Sequence, residues 1–131
     1  MFSHVTVGIS DFDRALAFWR PLMAGLDQRE RIIDPAKPWA IWQPAAGGRP
    51  LFIITTPFDG AAPAPGNGAM VAFMAPDRAT VDRLHALALT LGGRDEGAPG
   101  LRPGYHPDYY GAYLRDPDGN KLCLVCHAAA P

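Results

Sequence analysis

The sequence predicts an α+β fold in which two tandem βαβββ units form one domain with a shared concave cavity. A strand-then-helix pattern begins at His4 and again at Met70, and the two copies align with a constant offset that pairs Asp11 with Asp77. Alternating, β-rich segments follow each helix. A stretch rich in Pro, Gly and Ala separates the copies and predicts a linker between them.

Length and composition fit this single domain. The chain has 131 residues, 48% of them hydrophobic and 19% charged. Its net charge is −1 and its basic residues do not cluster, so neither nucleic acid nor a membrane is expected as a partner. No signal peptide is recognised and the two Cys are expected to point to opposite strand faces, which predicts a cytoplasmic protein with free thiols.

The first unit, about residues 1–57, begins with an alternating strand over Ser3–Ile9. Ser10 is predicted to cap a helix, with Asp13 as its capping-box partner. The apolar helical spacing ends near Gly25, and Pro21 is expected to kink the helix or shorten its last turn. Three further strands are predicted at Gln28–Ile33, Trp39–Trp42 and Leu51–Thr56.

The linker is placed at about 58–67 and the second unit at about 68–127. Gly68–Ala75 is predicted as its first strand, and Asp77 as the N-cap of a helix that ends at Gly92 and Gly93. A short strand is expected near Arg94–Glu96. Ala98–Pro107 is predicted as a loop.

A β-hairpin is predicted to close the chain. Asp116-Pro117-Asp118-Gly119-Asn120 has the composition of a turn, and alternating segments flank it at Tyr109–Arg115 and Lys121–His127. In the second strand Leu122, Leu124 and Cys126 share a face that suits a core. The opposite face, which holds Cys123, is mixed and typical of a partly wet cavity wall.

The mixed strand faces of both units are expected to line the cavity. Trp39 and Trp42 have opposite parity, so only one of them can face it. Arg115 could bind a carboxylate of a ligand, whereas Arg102 is expected on the solvated surface. The candidate ligand-binding residues are Thr6, Trp39, Trp42, Met70, Tyr105, Tyr109, Tyr113, Arg115 and Cys123.

His4 and His106 are the candidate catalytic residues. His106 lies in a dense polar and aromatic segment, Tyr105–Tyr110, which either folds over the cavity mouth or packs on the sheet edge. Cys123-Leu124-Val125-Cys126-His127 matches the haem attachment pattern C-x-x-C-H. Because the two thiols would point to opposite faces, no haem is expected. The default interpretation of His85 is a partly buried structural residue.

Three motifs together resemble the glyoxalase/bleomycin-resistance/extradiol-dioxygenase superfamily, also called vicinal oxygen chelate proteins. They are His4-Val5-x-Val7-x-x-x-Asp11-x-x-Arg14-Ala15-x-x-Phe18-Trp19, Gly66-Asn67-Gly68-x-x-Val71-Ala72-Phe73 and Asp116-Pro117-Asp118-Gly119-Asn120-Lys121-Leu122. The resemblance covers nearly the whole chain. It implies the glyoxalase-like fold, and a homodimer, because related proteins commonly build or complete their cavity by pairing.

The resemblance also implies a divalent metal held by a His of the first strand, a His opening the second half and a Glu of the last strand. His4 matches the first position, whereas Met70 and Cys123 replace the other two ligands. The cofactor is therefore expected to be none or one divalent metal, with Zn²⁺ the most compatible with His4 and Cys123.

Two functions remain open on the sequence. The first is a protein that binds a small molecule in the cavity without the usual metal site. The second is a glyoxalase-like lyase or isomerase, or a dioxygenase-like metalloenzyme, with a non-standard His/Cys site.

Overall fold

The computed structural model describes residues 1–131 and contains two four-stranded sheets, each packed against one helix. The first unit comprises β1 (His4–Gly8), α1 (Phe12–Gly25), β2 (Gln28–Asp34), β3 (Trp39–Pro44) and β4 (Leu51–Thr55). The second comprises β5 (Val71–Met74), α2 (Arg78–Thr90), β6 (Arg94–Leu101), β7 (Tyr110–Arg115) and β8 (Lys121–Cys126).

Both sheets have the same topology, which confirms the predicted pair of βαβββ units. The strand order is β1-β4-β3-β2 in the first sheet and β5-β8-β7-β6 in the second. In each sheet the opening strand of the unit lies parallel to its last strand, and the other pairings are antiparallel. The repeat extends to the helix caps, because Asp11 and Asp77 each accept a hydrogen bond from the backbone N–H three residues later.

One hydrophobic core joins the two units. A cluster of 20 buried residues draws on both helices and both sheets. The Trp19 ring of α1 lies 4.7 Å from the Phe52 ring of β4 and 5.9 Å from the Phe73 ring of β5, centroid to centroid. Burying such side chains contributes about 1.5–3 kcal/mol each, so the units stabilise each other through this shared core.

A buried carboxylate holds the C-terminal hairpin turn to helix α1. Asp116 is 3% exposed. The indole N–H of Trp19 donates to its Oδ2 at 3.2 Å, as does the side-chain amide of Asn120 at 2.9 Å. Its Oδ1 accepts the backbone N–H groups of Asp118 and Asn120 at 3.0 and 2.8 Å. Burial raises the pKa of Asp116, and the hydrogen bonds from Asn120 and Trp19 oppose that rise.

The same turn also holds the end of β1. Asp118 Oδ1 accepts hydrogen bonds from the Ser10 N–H at 3.1 Å and the Ser10 hydroxyl at 2.7 Å, and it pairs with the Arg14 guanidinium at 3.0 Å. The amide of Asn120 donates to the Gly8 carbonyl at 2.8 Å. The turn therefore sets the start of β8 beside the end of β1.

Helix α1 has a different N-cap from the one predicted, and Pro21 does not shorten its last turn. Its N-cap is Asp11, whose side chain accepts from the Arg14 N–H, and not Ser10, whose hydroxyl is instead committed to Asp118. Pro21 lies inside the helix and does not shorten it, because the helix continues to Gly25. Ala17, whose carbonyl loses its helical partner through Pro21, is exposed.

Two strands of the second unit also differ from the prediction. Strand β5 is only Val71–Met74, because residues 66–69 form a turn closed by the Ala69 N–H on the Gly66 carbonyl at 3.2 Å. Strand β6 continues to Leu101, well past the predicted end. Its pairing with β7 shifts register between Asp95 and Gly97 and again before Gly100, so the Pro- and Gly-containing segment still joins the sheet.

No helix of the structure has the length and apolar character needed to cross a membrane.

Replacing Asp116 with Ala is expected to lower the free energy of unfolding by about 3 kcal/mol, because it leaves buried N–H donors of Trp19 and the turn without an acceptor. Urea denaturation followed by tryptophan fluorescence measures the change. The matched control is Asp13→Ala, an exposed first-turn residue of α1, with an expected loss of about 0.5 kcal/mol. Equal losses in both variants would show that Asp116 does not hold the turn.

Candidate functional site

Each sheet has one face turned away from the helices, which we call its open face. Strand pairing places Thr6 of β1 opposite Ile53 of β4, and Ile41 of β3 opposite the same Ile53, on the open face of the first sheet. In the second sheet Ala72, Cys123 and Tyr113 lie in one such row. The predicted division into core faces and mixed faces is therefore present in both units.

A groove of about 270 Å³ lies where the two units meet. It is bounded by the end of β1, the starts of β5 and β8, and the last part of the linker. The lining residues are Thr6, Val7, Gly8, Ala64, Pro65, Gly66, Ala69, Met70, Val71, Asn120 and Lys121. The groove brings together Thr6 and Met70, which were predicted from separate units, but its lining includes neither His4 nor Cys123.

The linker forms one wall of this groove, a role that its composition did not indicate. It approaches β1 closely because Gly8 has no side chain. A Cβ on Gly8 would lie 3.1 Å from the Cβ of Pro63 and 3.6 Å from Pro57. The signal that could have been used is the Gly at the end of a strand, which often marks close approach of another backbone.

Two tyrosines cover Cys123 on the open face of the second sheet. The Tyr109 hydroxyl lies 2.9 Å from the Tyr113 hydroxyl and 3.5 Å from the Cys123 sulfur. Gly111 makes room for the Tyr109 ring, since a Cβ there would lie 2.8 Å from its Cε1 atom. Cys123 is consequently 0% exposed and is not the partly wet wall residue that was expected.

Burial raises the pKa of both Cys123 and Tyr109. It raises the pKa of the Cys123 thiol, against hydrogen bonds from Tyr109 and Tyr113 that lower it. Burial also raises the pKa of Tyr109, and hydrogen bonding to Cys123 and Tyr113 adds to that rise. Cys123 is therefore a neutral thiol at neutral pH, and Tyr109 a neutral phenol.

His106 has a partner that the sequence did not reveal. Its Nε2 lies 2.8 Å from Nδ1 of His127, and the two rings stack with centroids 5.1 Å apart. The Asp108 N–H donates to Nδ1 of His106, so Nε2 of neutral His106 carries the hydrogen that is donated to His127. Tyr109 contacts both imidazoles edge-on. From the sequence, His127 was placed only at the end of the last predicted strand and of the haem-like pattern.

Both arginines lie in surroundings other than those expected. Arg115, proposed to bind a ligand carboxylate, already donates to Glu96 Oε1 at 2.8 Å and to the Gly119 carbonyl at 2.9 Å. Arg102 is half-buried rather than solvated. It donates to the Ala98 carbonyl at 2.8 Å and lies 5.5 Å from the centre of the Tyr113 ring.

The two candidate tryptophans separate as their parity predicts. Trp42 is 1% exposed and packs in the core beside Phe52, so it is not a ligand-binding residue. Trp39 lies on the open face, where the Lys37 ammonium is 3.9 Å from the ring centre. The Trp39 indole N–H is buried and has no hydrogen-bond partner.

The remaining predicted side chains are dispersed. Tyr105 is 70% exposed and its ring packs 4.8 Å from that of Tyr109. His85 is buried, and its Nε2 lies 3.0 Å from Asp95 Oδ1, which ties α2 to β6 and agrees with the expected structural role.

The donor set does not fit the metal site that the resemblance implies. His4 is exposed and its Nδ1 lies 2.9 Å from the Ser3 hydroxyl. Met70 supplies a thioether, and Cys123 an enclosed, protonated thiol. The structure gathers no group of three or more His, Cys, Asp or Glu side chains that could hold a metal ion.

Comparison with known proteins places the chain in a family. A family model described as Glyoxalase/Bleomycin resistance protein/Dioxygenase superfamily matches residues 1–124. The chain is 36% identical to a glyoxalase/bleomycin resistance protein from Albidiferax ferrireducens T118, with a TM-score of 0.85 over 96% of this chain and 98% of that one. No curated protein sequence gives a match.

More distant solved structures share the fold. A glyoxalase-related enzyme from Fulvimarina pelagi is 17% identical, with a TM-score of 0.72 over 96% of this chain and 87% of that one. A lactoylglutathione lyase from Agrobacterium tumefaciens is 20% identical, with a TM-score of 0.65 over 96% of this chain and 92% of that one. At these identities the likeness concerns the fold alone.

Truncating the cover over Cys123 is expected to make that thiol reactive. In Tyr109→Ala the ring that encloses the sulfur is lost, so alkylation by iodoacetamide under native conditions should become about tenfold faster or more, since access limits the reaction of a buried thiol. Mass spectrometry locates the label at Cys123 or Cys126. Tyr105→Ala is the control. It removes a ring that packs on Tyr109 but is 70% exposed, and it should leave the alkylation rate unchanged. A rate unchanged by Tyr109→Ala would mean that another group encloses Cys123.

Proposed function

This chain belongs to the glyoxalase/bleomycin resistance protein/dioxygenase superfamily, and we propose that it binds a small organic molecule in the groove between its two βαβββ units. The observation that carries the proposal is the groove itself, an open concavity of about 270 Å³ built from both units and the linker. In this proposal the ligand is held by the side chains of the chain rather than by a bound metal, because the expected ligand positions hold Met70 and a neutral, buried Cys123.

The chemistry of the groove suits a small, mostly apolar molecule. Val7, Val71 and Met70 supply apolar wall, and Met70 is 43% exposed. Polar groups are few, as in typical small-molecule sites. They include the Thr6 hydroxyl and the Lys121 ammonium, which lies 5.7 Å from the Tyr113 ring centre and so connects the groove to the tyrosines over Cys123.

We also propose that two copies of the chain pair through their open faces. Met74 is 76% exposed on β5, and Met70 and Ile32 are 43% and 37% exposed on the same faces of their sheets. Large apolar side chains that are exposed on these faces favour association with a partner of similar character. A second copy offers such a surface, which supports the homodimer expected from the resemblance.

A second candidate function is acid–base catalysis on a bound small molecule, in a glyoxalase-like lyase or isomerase. The observation that favours it is the His106–His127 pair, with its N–N distance of 2.8 Å beside the Tyr109 ring. Neutral imidazoles can accept and return protons near neutral pH. Conversion of a bound compound that is lost in His106→Gln would favour this candidate over binding alone.

Ligand binding in the groove is expected to perturb Met70 and not Met23. A library of small aromatic and aliphatic compounds is screened by NMR of protein labelled at its methionine methyl groups. Compounds that bind the groove shift the Met70 signal because Met70 lines it, whereas Met23 is 0% exposed in the core.

The same screen is repeated on Ala69→Leu and Ala61→Leu, which add the same bulk inside and outside the groove lining. We expect the first variant to weaken binding by about tenfold through steric exclusion and the second to leave it unchanged. Compounds that bind both variants equally well would refute the groove as the binding site.

The pairing of two copies is tested by placing a charge on the open face. Met74→Asp is expected to convert a dimer to a monomer in sedimentation velocity, because an unpaired carboxylate would be buried between the copies. Phe58→Asp, at a fully exposed linker residue, is the control and should remain dimeric. A wild-type protein that sediments as a monomer at micromolar concentration would contradict the proposal.

A further inference from the structure

The charge of the groove is concentrated at one residue. Of the residues that line it, only Lys121 is ionisable. Lys121 lies at the start of β8 and is half-buried, with its ammonium 5.7 Å from the centre of the Tyr113 ring. A cation over an aromatic face is held in place without being neutralised.

No carboxylate of the chain forms an ion pair with this ammonium. Among the salt bridges of the structure none involves Lys121. The nearest candidate on its sheet, Glu96, is bound to Arg115 at 2.8 Å and lies 3.6 Å from Arg94. Arg115, Arg94 and Lys121 all lower the pKa of Glu96, so three cations share this one carboxylate.

The carboxylates of the adjacent turn are also engaged. Asp116 accepts hydrogen bonds from Trp19 and Asn120, and Asp118 is bound to Ser10 and Arg14. The amide of Asn120 donates to Gly8 and to Asp116, so both of its N–H groups are used within the chain. Lys121 is therefore the charged donor that the turn and the sheet leave for an occupant of the groove.

We propose that the molecule bound in the groove is a small monocarboxylate with an apolar body, and that the Lys121 ammonium binds its carboxylate. This inference rests on the proposed function and names its ligand class. The Thr6 hydroxyl, which lines the groove and bonds to no other side chain, is the second donor for the carboxylate. The apolar body packs on Val7, Met70 and Val71.

A single carboxylate fits this arrangement better than a phosphate. One ammonium and one hydroxyl match two oxygens and one negative charge. Phosphate sites commonly add backbone N–H groups of a helix N-terminus or a bidentate arginine. The groove lining contains neither an arginine nor a helical residue.

The test uses the fact that the chain has only two lysines, Lys37 and Lys121. Reductive methylation with ¹³C-formaldehyde gives each a resolved NMR signal and keeps its positive charge. The probes are phenylacetate, its neutral isostere phenylacetamide and phenyl phosphate, each titrated at pH 7 into methylated protein that also carries labelled Met methyl groups. Lys121→Arg assigns the signals, and Lys37 and Met23 are internal controls.

Phenylacetate is expected to shift the signals of Lys121 and Met70 saturably while Lys37 and Met23 stay in place. Phenylacetamide should bind about tenfold more weakly, since its neutral carbonyl can accept a hydrogen bond from the ammonium but cannot form an ion pair with it. Lys121→Met should remove the preference for the acid and leave binding of the amide unchanged. Lys121→Arg should retain the preference.

Four results would overturn the proposal, and the last of them separates its failure from that of the proposed function. If both probes shift Met70 with equal affinity, the groove binds small molecules but does not recognise a carboxylate. If phenyl phosphate binds more tightly than phenylacetate, the single-carboxylate class is wrong. If no probe shifts Met70 at millimolar concentration while library compounds do, the groove takes a different ligand class, and if nothing shifts Met70, the proposed function fails as well.

Discussion

The buried carboxylate of Asp116 is the contact on which the arrangement of the two units depends. It ties a turn of the second unit to Trp19, one of the two tryptophans of the common core. The same hairpin turn also holds the first unit, because Asp118 binds Ser10 and Asn120 binds Gly8. Because these bonds fix the end of β1 beside the start of β8, the groove has two walls from different units. The position of these two walls is thus a consequence of one hairpin turn.

The fold could be read from the sequence because its signals are local and repeated. Asp11 and Asp77 cap equivalent helices, and the alternation in β1 and β8 separates core faces from open faces. Errors arose where a long-range partner decided the outcome. Ser10 has the chemistry of a cap, but its hydroxyl is used by Asp118, which is distant in sequence. Strand β6 passes through Pro and Gly because pairing with β7 tolerates register shifts.

The candidate site was harder to predict from the sequence, again because long-range partners decide its structure. Parity placed Cys123 on an open face correctly, but burial of its thiol depends on Tyr109, which can lie over it because Gly111 has no side chain. The pairing of His106 with His127 joins a loop to the end of the last strand, and nothing in either segment alone indicates it. The linker was recognised by its composition, but its position against Gly8 requires the folded chain.

The open faces differ from the core face in what they can do chemically. The positions at which the resemblance implies metal ligands carry an exposed imidazole, a thioether and an enclosed neutral thiol. The groove offers apolar wall, one hydroxyl and one ammonium instead. In our proposal this combination recognises a ligand through burial and a single charge, on a frame that the fold supplies.

The most direct test of this account is equilibrium dialysis of chelator-treated protein against Zn²⁺, Mn²⁺, Fe²⁺ and Ni²⁺, with bound metal measured by elemental analysis. His4→Ala is the matched variant. The account predicts less than stoichiometric metal at micromolar concentration, and the same amount in both proteins, because His4 and Cys123 do not act together as ligands. Stoichiometric metal in the wild type that is lost in His4→Ala would contradict it.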